Sequence, residues 1–201
     1  MNTKILKVGI TGGIGSGKSL FCSYLEEKKY RVINADYLAK DLIQKDEKIK
    51  SLIIKEFGDK AFKNGKLDKK FLAEHVFSDP LKVQIINSIV HPAVIKNIES
   101  IFNSLAAIEK IVFVEAALIY EAEMESMFDY IALINADEEI RAKRKTKGSK
   151  MTSEEFEKRN SNQIPDEEKS KRADFVFKNN GTLAELKKQS ELFLTVLNGL
   201  L

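Results

Sequence analysis

The segment G-G-I-G-S-G-K-S, residues 12–19, constrains the fold of this chain more than any other stretch. It follows an apolar run at 5–10 and precedes a helical pattern, so it joins a strand to a helix. Glycines let the backbone adopt positive φ and turn successive N–H groups inward, which makes a nest for anionic oxygens. The sequence therefore predicts a phosphate-binding loop. Its match to G-x-x-x-x-G-K-[ST] is complete at the four fixed positions, Gly12, Gly17, Lys18 and Ser19.

The residues of this loop predict how a nucleoside triphosphate binds. The helix that follows adds its positive N-terminal end to the same pocket. Lys18 should reach the β- and γ-phosphates, and the Ser19 hydroxyl should ligate Mg²⁺. A glycine-rich turn that only connects a strand to a helix is the alternative. The backbone expected to cradle the phosphates comes from Gly13, Ile14, Gly15, Ser16 and Gly17.

Charge and composition exclude several classes of function. The 33 basic and 30 acidic side chains leave a net charge of +3, which gives no ground for a general nucleic-acid or membrane binder. Glu115 and Glu121 interrupt the most hydrophobic region, so no stretch is apolar for long enough to span a bilayer. The single cysteine, Cys22, cannot form an internal disulfide. Because the first strand follows the N-terminus almost directly, we expect no signal sequence. We therefore expect a cytoplasmic protein in which Cys22 is a packing residue.

Five short apolar runs have the length and the β-branched content of buried parallel strands. Helical patterns separate these runs, which predicts an α/β fold with a mainly parallel five-stranded sheet. The last helical pattern begins with Thr182 and Glu185 as a capping box and continues with Leu186, Phe193 and Leu197 on one face. Ligands gather at the carboxyl ends of such strands, so Gly12, Asp36, Glu115 and Asn135 should converge there. The five runs lie at 5–10, 31–33, 111–114, 130–134 and 175–177.

The segment between the second and third strands, residues 38–109, is too long for one crossover helix. We predict a helical lobe here, in the position where a second substrate would be held. Its first helical pattern runs through Leu42, Ile49, Leu52, Ile53 and Phe57 and ends at Gly58. Its other patterns contain Phe71, Leu72, Val76 and Phe77, stopped by Asp79-Pro80, and then cover 83–90 and 93–105 on either side of His91-Pro92.

A further segment, residues 141–172, is dense in charge and follows the fourth strand. Thr152 and Glu155 form a capping box for a helix that Pro165 should end. We interpret this segment as a helical lid with at least one cation facing the phosphates, whereas the alternative is a solvated basic face. The basic residues around Gly148 are Arg141, Lys143, Arg144, Lys145, Lys147 and Lys150.

Two acidic residues that follow strands each allow two interpretations. Asp36 could accept the proton of an attacking hydroxyl, or it could cap a helix that begins near Tyr37. Glu115 could hold a metal ion through water, or it could be a solvated side chain at a strand end. The residues by themselves leave both choices open.

Features outside the phosphate loop indicate which class of nucleotide-binding protein this is. The base-reading motif of G proteins, N-K-x-D, is absent from the sequence. A short core with a helical lobe and a lid fits phosphoryl transfer to a bound small acceptor, since such enzymes must exclude water. We therefore predict a small-molecule kinase. Another nucleoside or nucleotide kinase and a nucleotide-dependent switch are the alternatives.

The motifs, in this order and at these distances, resemble the dephospho-coenzyme A kinase family over nearly the whole chain. The segment 10–19 looks like the phosphate loop of that family, and Asn34-Ala35-Asp36 stands where the family usually has Asp-Ala-Asp. The other similar motifs are Phe57-Gly58, Gly65-Lys66-Leu67-Asp68-Lys69, Val76-Phe77, Val90-His91-Pro92, Leu118-Ile119-Tyr120-Glu121, Arg144, Gln163, Ala173-Asp174 and Asn179-Asn180-Gly181.

The resemblance implies an enzyme that uses ATP and Mg²⁺ to phosphorylate the ribose 3′-hydroxyl of dephospho-coenzyme A, the last step of coenzyme A synthesis. It implies a three-layer P-loop fold in one domain over 1–201, with a core at about 1–37, 110–140 and 173–201, an acceptor lobe at 38–109 and a lid at 141–172. We expect small-molecule partners, no nucleic acid, no membrane, and a monomer or weak homo-oligomer.

The resemblance also implies roles for individual residues. Asp36 would be the catalytic base, and Lys18 and Arg144 would act on the transferred phosphoryl group. The family pattern assigns Asn179 and Gly181 to the adenine pocket, and it assigns Asp36, His91, Leu118 and Glu121 to the acceptor. Asn34 and Gly148 depart from the family pattern, which usually has an aspartate and often has an arginine at these places.

Overall fold

The chain folds into two compact units. The computed structural model describes residues 5–76, 79–148 and 151–201. The larger unit contains the chain through Asn34 and from Ile101 onward, and the smaller unit is Ala35–Ser100. Of the helices in these ranges, none is long and apolar enough to cross a membrane. The strands are β1 (Leu6–Thr11), β2 (Arg31–Asn34), β3 (Phe62–Lys63), β4 (Lys66–Leu67), β5 (Ile111–Glu115), β6 (Tyr130–Asn135) and β7 (Phe175–Lys178). The helices are α1 (Lys18–Glu27), α2 (Ala35–Lys45), α3 (Glu47–Phe57), α4 (Lys69–His75), α5 (Pro80–Leu105), α6 (Glu138–Gly148), α7 (Ser153–Ser161), α8 (Asp166–Arg172) and α9 (Leu183–Asn198).

The main sheet contains the five predicted strands, all parallel to their neighbours, in the order β2-β5-β1-β6-β7. Val8 in the central strand pairs with Phe113 on one side and Tyr130 on the other. The predicted α/β fold and its five strands are confirmed, with strand bounds that differ from the predicted ones by one residue. Because β1 is central, the loop that follows it opens at the middle of the carboxyl edge, where such sheets bind ligands.

Alternate residues of β1 face opposite sides of this sheet, as the pleat of a strand requires. Val8 and Ile10 belong to a buried cluster shared with α1 and α9. A side chain at Gly9 would instead meet Ile119 and the ring of Phe128. The predicted apolar face of the last helix is confirmed as core. The helical residues of the cluster are Phe21, Cys22, Leu25, Leu186, Phe193, Leu194 and Leu197.

Cys22 is packed in this core, as the sequence predicts, and is 2% exposed. Burial raises the pKa of its thiol well above the ordinary value, and the charge of Glu115 raises it further. The thiol therefore stays protonated and unreactive.

Both predicted capping boxes are present in the larger unit. Thr152 caps the N-terminus of α7 and Thr182 caps that of α9, and each exchanges hydrogen bonds with the glutamate three residues later. The prediction that Pro165 ends the first of these helices is wrong. That helix ends at Ser161, and Pro165 directly precedes α8, where its fixed φ suits the start of a helix. Lys150, from the basic segment, lies outside the described residues.

The smaller unit is largely helical, as predicted, but its first helical pattern is divided. Leu42 lies in α2, whereas the other residues of that pattern lie in α3. The division occurs at Asp46, whose Oδ1 accepts hydrogen bonds from the N–H groups of Lys48 and Ile49. A side-chain cap of this kind stabilises a new helix start and ends the preceding one. Gly58, with φ of 83°, ends α3 as predicted.

Two further features of the smaller unit differ from the sequence interpretation. The helix α5 is continuous through Pro92, which removes only one helical hydrogen bond while buried residues on both sides hold the helix. The hairpin of β3 and β4 was not predicted. It turns at Asn64 and Gly65, which both have positive φ, as a tight hairpin requires. Phe77, assigned to the same lobe, lies outside the described residues. The buried residues that flank the proline are Ile86, Val90, Val94 and Ile98.

Phe193→Ala should lower the free energy of unfolding by about 3–5 kcal/mol, because it removes the ring at the centre of the core. Phe193 is 1% exposed, and its ring centroid lies 5.1 Å from those of Phe175 and Phe177. The control is Leu192→Ala on the same helix, where the side chain is 61% exposed and a change within about 0.5 kcal/mol is expected. Urea unfolding followed by circular dichroism measures both variants. Equal losses would contradict this account of the core.

Candidate active site

The loop between β1 and α1 has the backbone shape that the glycine pattern predicts. Gly12, Gly15 and Gly17 have φ of 149°, 81° and 100°, and Gly17 stands directly before the helix. Within the described part of the chain, the N–H groups of Gly13, Gly15 and Gly17 donate no hydrogen bond to another protein group. Backbone N–H groups without a protein acceptor, at or just before the N-terminus of a helix, can donate hydrogen bonds to an anionic oxygen. The loop therefore fits a phosphate chain.

Neighbouring atoms leave no space for a side chain at three of the loop glycines. A Cβ at Gly13 would lie 2.6 Å from Nη1 of Arg141, and one at Gly15 would lie 2.7 Å from the carbonyl oxygen of Arg141. A Cβ at Gly17 would collide with the amide group of Asn179. The loop is thus packed between α6 and the residues that follow β7, and a side chain at these positions would displace it.

Lys18 is mostly buried beside this loop, with 9% of the residue exposed. Its Nζ donates to the carbonyl oxygens of Gly12 at 2.6 Å and Gly13 at 3.2 Å. These contacts hold the ammonium group against the loop and keep its charge satisfied. The lysine is therefore already positioned where a phosphate oxygen could replace a carbonyl partner.

Glu115 joins Ser19 and Asn34 at the carboxyl edge of the sheet. Ser19 Oγ donates to Glu115 Oε1 at 2.5 Å, and Asn34 Nδ2 donates to Glu115 Oε2 at 2.8 Å. Asn34 and Glu115 are register partners at the ends of β2 and β5, so their side chains lie on the same face. Glu115 is 8% exposed, which excludes the interpretation as a solvated side chain.

This donor set fits Mg²⁺ better than a metal that needs several protein ligands. The described residues contain no group of three or more His, Cys, Asp or Glu side chains that could hold a metal ion. Mg²⁺ is usually bound through one or two carboxylates, with water and phosphate oxygens completing its shell. Ser19 Oγ and the Glu115 carboxylate could supply the protein oxygens.

Arg144 connects α6 to the residues after β7. Its Nη2 donates to the carbonyl oxygen of Asn179 at 2.8 Å, and Asn179 Nδ2 donates to the carbonyl oxygen of Ser16 at 2.7 Å. Nη1 of Arg144 is buried and has no hydrogen-bond partner among the described residues. A buried guanidinium N–H without a partner is uncommon and suggests a ligand atom that satisfies it.

Sequence reasoning missed the importance of Arg141 and Gln163. Arg141 Nη1 donates to the carbonyl oxygen of Ile14 at 3.3 Å, and Gln163 Oε1 accepts from the N–H of Ile14 at 3.0 Å. From the sequence alone, Arg141 is one member of the basic segment, and Gln163 stands out only through the family resemblance. The spacing of Arg141 and Arg144, three residues apart on one helix, was the signal that both could face the loop.

The residues assigned to the acceptor and the base lie in different parts of the chain. Asp36 is exposed in the first turn of α2, and His91 is half-buried in α5. Leu118 is half-buried in the turn after β5. Glu121 accepts from the N–H of Ile164 at 2.9 Å and pairs with the ammonium group of Lys169 at 2.8 Å. The Glu121 carboxylate therefore links the β5 turn to the segment around α8.

Gly181 lies two residues after Asn179, in the turn that leads to α9. A side chain there would collide with the carboxylate of Glu185, which accepts from the N–H of Thr182 at 2.6 Å. The glycine therefore leaves room for the capping box, and the turn stays close to the backbone that Arg144 contacts.

Comparison with known proteins gives consistent matches over most of the chain. The family model of dephospho-CoA kinase (CoaE) matches residues 6–185. The dephospho-CoA kinase of Salinibacter ruber is 38% identical over 196 residues, which cover 96% of this chain and 98% of that protein. The one of Fusobacterium nucleatum is 36% identical over 190 residues, 94% and 97% of the two chains. The solved structure of dephospho-CoA kinase from Campylobacter jejuni has a TM-score of 0.72 at 27% identity, covering 97% of this chain and 98% of that one.

Asn34→Asp should make the protein depend on a divalent cation. The new carboxylate would face that of Glu115 across 2.8 Å, so we expect a loss of about 1–3 kcal/mol in stability without metal. Mg²⁺ should then raise the melting temperature of this variant by more than it raises that of the parent. Thermal unfolding in EDTA and in Mg²⁺ measures the effect. Asn103→Asp, at an exposed position of α5, is the matched control and should respond to Mg²⁺ as the parent does. An equal response of Asn34→Asp and the parent would exclude Glu115 from a metal site.

Proposed function

Because the chain belongs to the dephospho-CoA kinase family, we propose that it transfers the γ-phosphoryl group of ATP to the ribose 3′-hydroxyl of dephospho-CoA. The products are ADP and CoA, so the reaction is the last step of CoA synthesis. The observation that carries this proposal is the loop of unpartnered amides beside Lys18 and the Ser19–Glu115 contact. We further propose that the enzyme works in the cytoplasm as a monomer or weak homo-oligomer, without nucleic-acid or membrane partners.

The nucleotide half of the site is proposed to use the loop and the two cations beside it. The amides of Gly13, Gly15 and Gly17 bind phosphate oxygens, supported by the positive end of α1. Lys18 exchanges its contacts with the Gly12 and Gly13 carbonyl oxygens for contacts with the β- and γ-phosphates. The other proposed loop contacts come from Ser16 and Ser19. The backbone of Ile14, which the sequence also assigned to the phosphates, is instead held by Gln163 and Arg141.

Arg144 is proposed to bind the transferred phosphoryl group through its buried Nη1 group. Its second nitrogen stays on the carbonyl oxygen of Asn179, so the guanidinium is oriented before the nucleotide arrives. Asn179 and Gly181, in the turn after β7, are proposed to shape the adenine pocket.

Ser19 and Glu115 are proposed to hold Mg²⁺. Ser19 Oγ would exchange its hydrogen bond to Glu115 for the ion, and Asn34 would keep orienting the carboxylate from the other side. When bound, Mg²⁺ neutralises part of the charge on the phosphate oxygens. Asn34 itself adds no negative charge beside Glu115, whereas the aspartate that the family usually has at this position would add one.

Asp36 is proposed to be the catalytic base. It accepts the proton of the 3′-hydroxyl as that oxygen forms a bond to the γ-phosphorus, and the bond from this phosphorus to the bridging oxygen of ADP breaks. Asp36 is only two residues from Asn34 in the sequence, and Asn34 donates a hydrogen bond to Glu115. His91, Leu118 and Glu121 are proposed to contribute to acceptor binding.

Purified protein should produce ADP from ATP only when dephospho-CoA is also present. The measurement is a coupled assay for ADP with the acceptor added and withheld, and with product identified as CoA by mass spectrometry. Nucleoside monophosphates serve as alternative acceptors. Faster turnover with one of them would identify a nucleotide kinase instead. Slow hydrolysis that no acceptor stimulates would identify a nucleotide switch.

Asp36→Asn should keep ATP binding and lose about 10²–10⁴-fold in kcat, because the amide cannot accept the proton of the hydroxyl. The matched control is Asp41→Asn on the same helix, where the carboxylate pairs with Lys45 at 2.7 Å. This control should keep kcat within about twofold, since an exposed pair of this type contributes little. Steady-state kinetics and calorimetric titration with ATP measure the two properties separately. Normal turnover by Asp36→Asn would exclude Asp36 as the base.

A further inference from the structure

The peptide groups on both sides of Ile14 are held by residues that come after β6. The N–H of Ile14 donates to Gln163 Oε1 at 3.0 Å, and its carbonyl oxygen accepts from Arg141 Nη1 at 3.3 Å. Gln163 lies between α7 and α8, and Arg141 lies in α6. The phosphate loop is therefore attached to the helical segment at one residue, through both a donor and an acceptor.

Arg141 is itself fixed by several partners. Its residue is 6% exposed, and its Nε donates to the carbonyl oxygen of Ala136 at 3.0 Å. Nη1 also donates to Asn160 Oδ1 at 2.8 Å, and Asp166 Oδ2 lies 3.7 Å from Nε. A buried guanidinium with this many partners keeps one geometry. It can therefore position the loop, and it does not need a phosphate to satisfy its charge.

The space around the loop supports the same role. Gly13 and Gly15, on either side of Ile14, lie so close to Arg141 that a Cβ at either position would come within 2.7 Å of its atoms. Arg141 thus limits the movement of the loop on both sides of the residue it binds. A flexible glycine-rich loop would otherwise lose much conformational freedom when it binds phosphate.

We propose that Arg141 and Gln163 are positioning residues that hold the Ile14 backbone, and so keep the phosphate loop ordered for the nucleotide. This inference rests on the proposed function, because it assumes that the loop binds ATP. Holding a loop in its bound shape increases affinity by reducing the ordering cost of binding. The two residues should therefore act on nucleotide affinity and leave the affinity for the acceptor nearly unchanged.

Arg141→Gln and Gln163→Met test this proposal. Arg141→Gln should weaken ATP binding about 10–100-fold, because it removes a charge-assisted hydrogen bond to the loop. Gln163→Met keeps the size of the side chain, loses the acceptor, and should weaken ATP binding about 3–10-fold. Calorimetric titration with ATP gives the dissociation constants without any acceptor, so it stays informative even if dephospho-CoA is not the substrate. Arg159→Gln, at an exposed position of α7, is the matched control and should leave ATP affinity unchanged.

Steady-state kinetics separate positioning from a general loss of structure. Both variants should raise KM for ATP while KM for the acceptor stays within about twofold. In the double variant the two effects should be less than additive, because both hydrogen bonds hold the backbone of the same residue, Ile14. If the variants lower thermal stability but bind ATP as the parent does, the proposal is wrong. If Arg141→Gln does not fold, unchanged ATP affinity in Gln163→Met is sufficient to reject it.

Discussion

The geometry of this site depends on the hydrogen bonds that the Glu115 carboxylate accepts. Glu115 ends β5, and its carboxylate accepts hydrogen bonds from Ser19 in α1 and from Asn34 at the end of β2. A buried carboxylate is costly without such donors, so the three elements are held together by the need to satisfy one acid. The first turn of α1, and with it the phosphate loop, is thereby fixed against the carboxyl edge of the sheet. Parallel pairing makes this possible, because it brings the ends of β2, β5 and β1 to the same edge.

The cations around the loop fall into two groups with different surroundings. Arg141 is surrounded by acceptors and by the carboxylates of Asp166 and Glu138, so its charge is balanced within the protein. Lys18 is held by backbone carbonyl oxygens, and Arg144 keeps a buried N–H without a partner in the described ranges. Arg144 therefore keeps a hydrogen-bond donor that a ligand atom could take, whereas Arg141 contributes mainly through structure.

The sequence predicts those parts of the molecule that depend on local signals. Apolar runs identify the five strands, and the pairs Thr152–Glu155 and Thr182–Glu185 identify helix starts, because each signal lies within a few residues. Asp46 and Asn64-Gly65 are local signals too, for a helix cap and a hairpin turn, but a periodic apolar pattern that continues past Asp46 hides the helix boundary there. The contacts of Gln163 and Arg141 with Ile14 join residues more than a hundred positions apart. The spacing of Arg141 and Arg144 indicates only that they share a helix face, and it does not identify Ile14 as the partner, so that part of the site needed the folded structure.

The composition of the loop explains why those distant contacts matter. Four of the eight residues at 12–19 are glycines, which leave room for phosphate oxygens but lose the most conformational entropy when they are ordered. Ile14 is the one residue of the loop with a large apolar side chain, and it is the residue whose backbone is bound from both directions. Hydrogen bonds at this position restrict the loop without using the amides of Gly13, Gly15 and Gly17. The protein can therefore order the loop through the backbone of Ile14, while the N–H groups of the neighbouring glycines remain available to an anion.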